Sequence, residues 1–274
     1  MTRKSGLITL SFLAFAACGD SATDPTDDAI PTLNADVVGA VADGVGEDVE
    51  TMRDLNFGVR TGNFFLPVGS FESRNCPWNS ASGWHECESR DEGPFTVQRR
   101  YAFYNASGAA QETFDANLTA SIRVQRIVDG SVDRDTESGS ISGDIHHDRD
   151  LTVSGLAGEE TQRTWNGSGH SDISRTRVND SRGSRTYELS VDVQIANVVV
   201  PHPRSEDQDP WPLSGTITKH VQGSVTVNDE TRSFERTVVI TFDGTQFAKA
   251  TVTGSKVSGE FTIDLAHRRL GHRP

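Results

Sequence analysis

No apolar run in this chain is long enough to cross a bilayer as a helix. The longest, residues 6–17, falls short of the roughly 20 residues that a span requires. Basic residues are scarce. The chain has 26 Lys and Arg against 39 Asp and Glu, a formal net charge of −13, which excludes a general electrostatic route to nucleic acid. Hydrophobic residues make up only 34%, low for a chain of this size, and a large sheet with one wet face accounts for that. Catalytic signatures are missing too. There is no Gly-x-Ser-x-Gly elbow and no phosphate-cradling Gly-x-x-x-x-Gly-Lys. His85-Glu86 lacks the second histidine of a helical zinc-protease motif. Asp129, Ser131, Asp133 and Asp135 alternate like the start of a calcium loop. Arg134 stands where that loop has Gly, and Ser140 where it has Glu. No metal ligand set, no cofactor and no catalytic residue can be named, although a serine, a base and its orienter can still meet in space.

The N-terminus is more explicit. Arg3 and Lys4 precede the apolar run, which ends in Ala16-Ala17-Cys18. A short basic start, an apolar stretch and small residues make an export signal, to be set apart from the fold. The Ala-Ala-Cys ending resembles the lipobox of bacterial lipoproteins, with Phe15 where that family usually has Leu. The resemblance covers about the first twenty residues. It implies removal of residues 1–17, lipidation of Cys18 and anchoring to a membrane of the bacterial cell envelope. Gly19 rather than Asp follows the cysteine, which by the same resemblance favours the outer membrane over the inner. One acyl chain binds marginally and two or more bind stably, so the anchor implied by the resemblance is a firm one. Residues 18–33 are small, polar and acidic, as a solvated tether should be. Residues 34–274 then read as a single β-rich domain.

Within that domain, residues 34–56 are the one good helix. Val38, Val41, Val45, Val49 and Met52 recur at spacings of three and four, and Asn34 can cap the start. Gly39, Gly44 and Gly46 weaken it, so it needs a sheet to pack on. From about residue 94 the period changes to two. Tyr187, Leu189, Val191, Val193 and Ile195 alternate with Glu188, Ser190, Asp192 and Gln194. Leu118 to Gln125, Ile217 to Val227, Phe234 to Phe242 and Val257 to Leu265 behave alike. Asp129-Gly130, Asn228-Asp229 and Asp243-Gly244 suit tight turns, and Gly158 and residues 179–183 suit looser ones. The expected fold is mainly β: one large curved antiparallel sheet, half-open barrel or barrel-like, with one N-terminal helix packed on it.

Once Cys18 is lipidated, Cys76 and Cys87 remain. In an oxidising compartment they read as a disulfide, contributing roughly 3 kcal/mol by closing a short loop. A metal pair with His85 is the alternative, but it leaves a zinc set incomplete. Two segments interrupt the strands: the cysteine loop 76–87, and residues 201–212, which hold four of the ten prolines. Trp84, His85, Asp209 and Trp211 are the candidate contacts there, since irregular loops often carry recognition. The competing use of the tryptophans is to plug the ends of the core. His146-His147 reads as solvated polar groups on a turn, with a metal site as the alternative. Two function classes remain. One is a non-catalytic, membrane-anchored module that binds an apolar ligand or another envelope component. The other is a hydrolase or metal-dependent enzyme using the His and carboxylate loops.

Overall fold

The computed structural model describes Val45, Asp48, Val49 and residues 76–136, 139–157, 160–179, 183–201, 211–254, 258–266 and 269–271. The expected signal 1–17, Cys18 and the tether 18–33 lie outside the described residues. So does helix 34–56, apart from Val45, Asp48 and Val49, which have helical backbone and are buried.

The rest is sheet. Its strands are Trp78–Asn79 (β1), Trp84–Glu86 (β2), Arg90–Glu92 (β3), Phe95–Asn105 (β4), Ala110–Gln111 (β5), Thr119–Thr136 (β6) and Gly139–Ser154 (β7). They continue with Gln162–Asn179 (β8), Gly183–Pro201 (β9), Ser214–Val227 (β10), Glu230–Thr241 (β11), Phe247–Thr253 (β12), Ser258–Asp264 (β13) and Arg269–Gly271 (β14). They form one 14-stranded sheet in the order β1-β2-β4-β6-β7-β8-β9-β10-β11-β12-β13-β14, with β3 and β5 also paired to β4. Every pairing is antiparallel, and the order does not close on itself among the described residues.

The alternation predicted from the sequence sets the two faces. Along β9, Tyr187, Leu189, Val191, Val193 and Ile195 are buried, while Glu188, Ser190, Asp192 and Gln194 are exposed. Register carries that phase sideways: Val191 faces Val221 on β10, and Ile217 faces Ile240 on β11. Val45 and Val49 join the same core as Leu189, Val191, Val193, Ile240 and Phe242. Each fully buried aliphatic side chain there contributes roughly 1.5–3 kcal/mol relative to exposure. Ile240→Val should therefore cost about 0.5–1.5 kcal/mol, and Ser190→Ala on the wet face less than about 0.5 kcal/mol. Urea denaturation checks this, and equal costs would mean that both faces are packed.

Several strands run longer than the turn signals suggest. Asp129-Gly130 is the middle of β6, not a hairpin. Its glycine is there for close approach: a Cβ on Gly130 would sit 2.5 Å from Phe95 Cδ1 on the neighbouring strand. Residues 143–150 likewise belong to β7, not to a turn. Asn228-Asp229 and Asp243-Gly244 do turn the chain. Asn228 and Asp229 take φ of 50° and 66°, and Gly244 takes 88°. The cysteine loop is a small hairpin, β1–β2, that continues the sheet rather than interrupting it.

Candidate functional site

Cys76 and Cys87 are joined by a disulfide. The β1–β2 register pairs Trp78 with His85, which places the two cysteines directly opposite each other. Glu86 N donates to Pro77 O at 3.1 Å, so the cysteine pair is the adjacent, non-hydrogen-bonded one, where strands approach most closely. The Cα atoms are accordingly 3.9 Å apart, closer than the usual disulfide range.

His85 is buried under this bridge. Its Nδ1 lies 3.1 Å from Cys76 O and its Nε2 lies 2.8 Å from Glu112 O. The ring stacks on Tyr101 with centroids 4.6 Å apart. His85 is therefore part of the packing of this end of the sheet, and it is not a metal partner of cysteines that are already bonded to each other. Trp84 points to the other face but is only 9% exposed. The guanidinium carbons of Arg100 and Arg123 lie 4.7 and 5.4 Å from its ring centre, covering it. Arg123 is in turn held by Asp150, Nε to Oδ1 at 2.7 Å. Trp211 is half-buried and packs against the core. Asp209 lies outside the described residues. The candidate contacts thus do not converge on one exposed surface among the described residues.

What converges instead is a pattern on the wet face of the central strands. One row reads Asp148, His170, Asp192, His220 across β7 to β10. The next reads Asp129, His146, Asp172, Ser190 across β6 to β9. His146 Nδ1 is 2.6 Å from Asp129 Oδ1. His170 bridges the two rows, with Nδ1 2.8 Å from Asp192 Oδ1 and Nε2 3.2 Å from Asp172 Oδ1. The hydrogen bond to Asp192, helped by Asp172, holds the His170 imidazolium above its ordinary pKa. An open hollow of about 910 Å³ overlies this region, bordered by Asp129, Asp144, His146, Asp172, Glu188 and Ser190. A second, of about 580 Å³, adjoins Asp148, His170, Asp192 and His220.

Ser190 Oγ lies 3.4 Å from His170 Nε2, and Asp192 orients the far side of the ring. The order resembles nucleophile, base and orienter, with a second carboxylate added at the base. Asp172 also reaches Nε2, at 3.2 Å, so Ser190 shares that nitrogen with a carboxylate. Ser190 sits on β9, which pairs on both sides, so its backbone N–H groups serve the ladders and offer no oxyanion hole.

The opposite face hides a second polar cluster. His147, Arg149, Ser171 and Lys219 are all buried. Arg149 Nε donates to Asp48 Oδ1 at 2.8 Å, and Lys219 Nζ is 3.2 Å from Asp48 Oδ2. Burial alone would raise the Asp48 pKa. Arg149 and Lys219 overcome it and hold the carboxyl at about 2. Arg149 Nη1 donates to Ser171 Oγ at 3.1 Å, which frees the hydroxyl hydrogen to face His147 Nδ1 at 2.7 Å. Burial, then Arg149, push His147 down to about 3, so its ring is neutral. His146 and His147 therefore point to opposite faces, as neighbours on a strand must. Among the described residues no group of three or more His, Cys, Asp or Glu is placed to hold a metal ion.

Both clusters escaped the sequence reading, though a signal existed for each. Arg149 and Lys219 occupy the phase of Leu151 and Ile217, where a charge needs a buried partner. Asp148, His170 and Asp192 fall in the polar phase of three successive strands. No protein-family model, no curated protein and no solved structure matches this chain.

Proposed function

We propose that this protein is a non-catalytic envelope module, lipid-anchored through Cys18, that recognises another envelope component with the wet face of a half-open barrel. The observation that carries this reading is which face is open. On the apolar face, Val221, Ile240 and Val252 are 0% exposed, so an apolar ligand has no entry at those positions. The hollows at the centre of the sheet lie instead on the wet face, where carboxylates, histidines and serines line them together with Pro94, Ile145, Ile173 and Leu189. Such a lining suits a partner that presents cationic groups, and the acidic balance of the whole chain steers such a partner toward it. Lipidation of Cys18 and placement at the outer membrane rest on the lipobox resemblance.

Native mass spectrometry of protein purified from its own host tests the reading. The expected chain begins at an acylated Cys18, carries no stoichiometric apolar ligand, and releases its bound component as salt is raised. A lipid or fatty acid retained one-to-one at high salt would overturn wet-face recognition in favour of an apolar ligand. A soluble mature chain beginning at another residue would overturn the anchor.

A further inference from the structure

We propose that the apolar sheet face carries a carboxylate-binding site of which Asp48 is the tethered occupant. The receptor half is built by the sheet alone. Arg149 on β7, Ser171 on β8 and Lys219 on β10 are 7%, 2% and 2% exposed. The Arg149 head is fixed independently of Asp48. Its Nη1 donates to Asp148 O at 2.8 Å, to His170 O at 3.0 Å and to Ser171 Oγ at 3.1 Å. Those bonds leave Nε directed at Asp48 Oδ1, 2.8 Å away, while Lys219 Nζ meets the second oxygen at 3.2 Å. One cation per carboxylate oxygen is a donor set for a small planar anion. Gly169, which faces Arg149 across the ladder, makes room for the arginine side chain that presents the donor. A Cβ there would sit 2.6 Å from Arg149 Cδ. Beside the carboxylate lies a cavity of about 20 Å³ lined by Asp48, Arg126, His147 and Arg149. Within the Arg126 side chain, Nε is buried with no hydrogen-bond partner among the described residues. The cavity is large enough for one water, and truncation of Asp48 enlarges it to the size of a free carboxylate. Donors on the sheet and an acceptor 101 residues away in sequence make a receptor and ligand within one chain, so an external carboxylate takes the same place once the Asp48 side chain is removed.

The test is chemical rescue. Thermal midpoints of Asp48→Ala are measured while sodium formate is titrated against sodium chloride at equal ionic strength. Formate should raise the midpoint saturably, by about 5 °C or more, and chloride should not. The filled site of the unaltered protein should give no difference between the two salts, and Asp48→Ala combined with Arg149→Met should lose the formate response. Equal responses of Asp48→Ala to formate and chloride overturn the proposal. If Asp48→Ala does not fold in plain buffer, its refolding from urea is followed with and without formate. Recovery in formate alone supports the site, and no recovery refutes it.

Discussion

Arg149→Met should lower the unfolding free energy by about 3–5 kcal/mol, because breaking one side of a buried ion pair strands the other charge. Methionine keeps most of the aliphatic stem, so the loss reports the guanidinium rather than packing volume. What disappears is the Nε bond to Asp48, two Nη1 bonds that tie β7 to β8, and a third Nη1 bond to Asp148 O within β7. Lys219 stays beside Asp48 and limits the damage. Arg123→Met is the control. Arg123 pairs with Asp150 on the wet face with its side chain 43% exposed, so its loss should cost about 1 kcal/mol or less. Urea denaturation of both variants separates the two sites. A cost for Arg149→Met no larger than the control would mean that water already reaches the buried cluster.

Moderate acid should destabilise the protein well before its carboxylates titrate, and His147 is the reason. Its folded pKa is pushed down to about 3 by burial and by Arg149, against 6.5 in the unfolded chain. Below pH 6.5 the unfolded state binds a proton that the folded state refuses. The stability held above that pH is therefore lost as pH falls toward 3. The expected loss is about 2 kcal/mol between pH 6.5 and pH 5. Asp48 has the same sign in a lower window: its contribution is whole above pH 3.8 and disappears as pH falls toward 2. His170 acts oppositely. Its raised pKa supports folding below 6.5 and ceases to as pH rises through the folded value. With its side chain 40% exposed, solvent screening keeps that offset small. Unfolding free energies of the unaltered protein and His147→Asn at pH 7.5 and pH 5 decide the matter. The variant should show a clearly flatter dependence, and identical slopes would place the acid sensitivity elsewhere.

The sheet was legible in the sequence because period-two alternation survives where one face is dry. Tyr187 to Ile195 is as clear in letters as in burial. Turns were less legible, since glycine has two uses. Gly244 supplies a positive φ, whereas Gly130 makes room for Phe95 in mid-strand, and both follow an aspartate. The disulfide was readable from Cys76, Cys87 and export, but not the hairpin register that sets the two directly opposite. Trp84 drew attention as an aromatic in a loop. Its cover comes from Arg100 and Arg123, strands away, which no local pattern reveals. The paired rows of His and Asp need register as well as phase, so they appear only once β6 to β10 are aligned.

The strand order carries a consequence for how the chain acquires this shape. From β6 to β14 every neighbour in the sheet is also the next strand in sequence. Each ladder therefore closes over its own connection, the longest being the 12 residues between β9 and β10, and the loop-closure entropy accrues in small steps. The bridge between Cys76 and Cys87 spans only 11 positions. Asp48 and Arg149 are separated by 101, so their meeting carries a far larger closure penalty than any hairpin of the meander. A chain that zips strand by strand can complete its sheet first and receive that distant carboxylate afterwards, when the donors that await it are already in position.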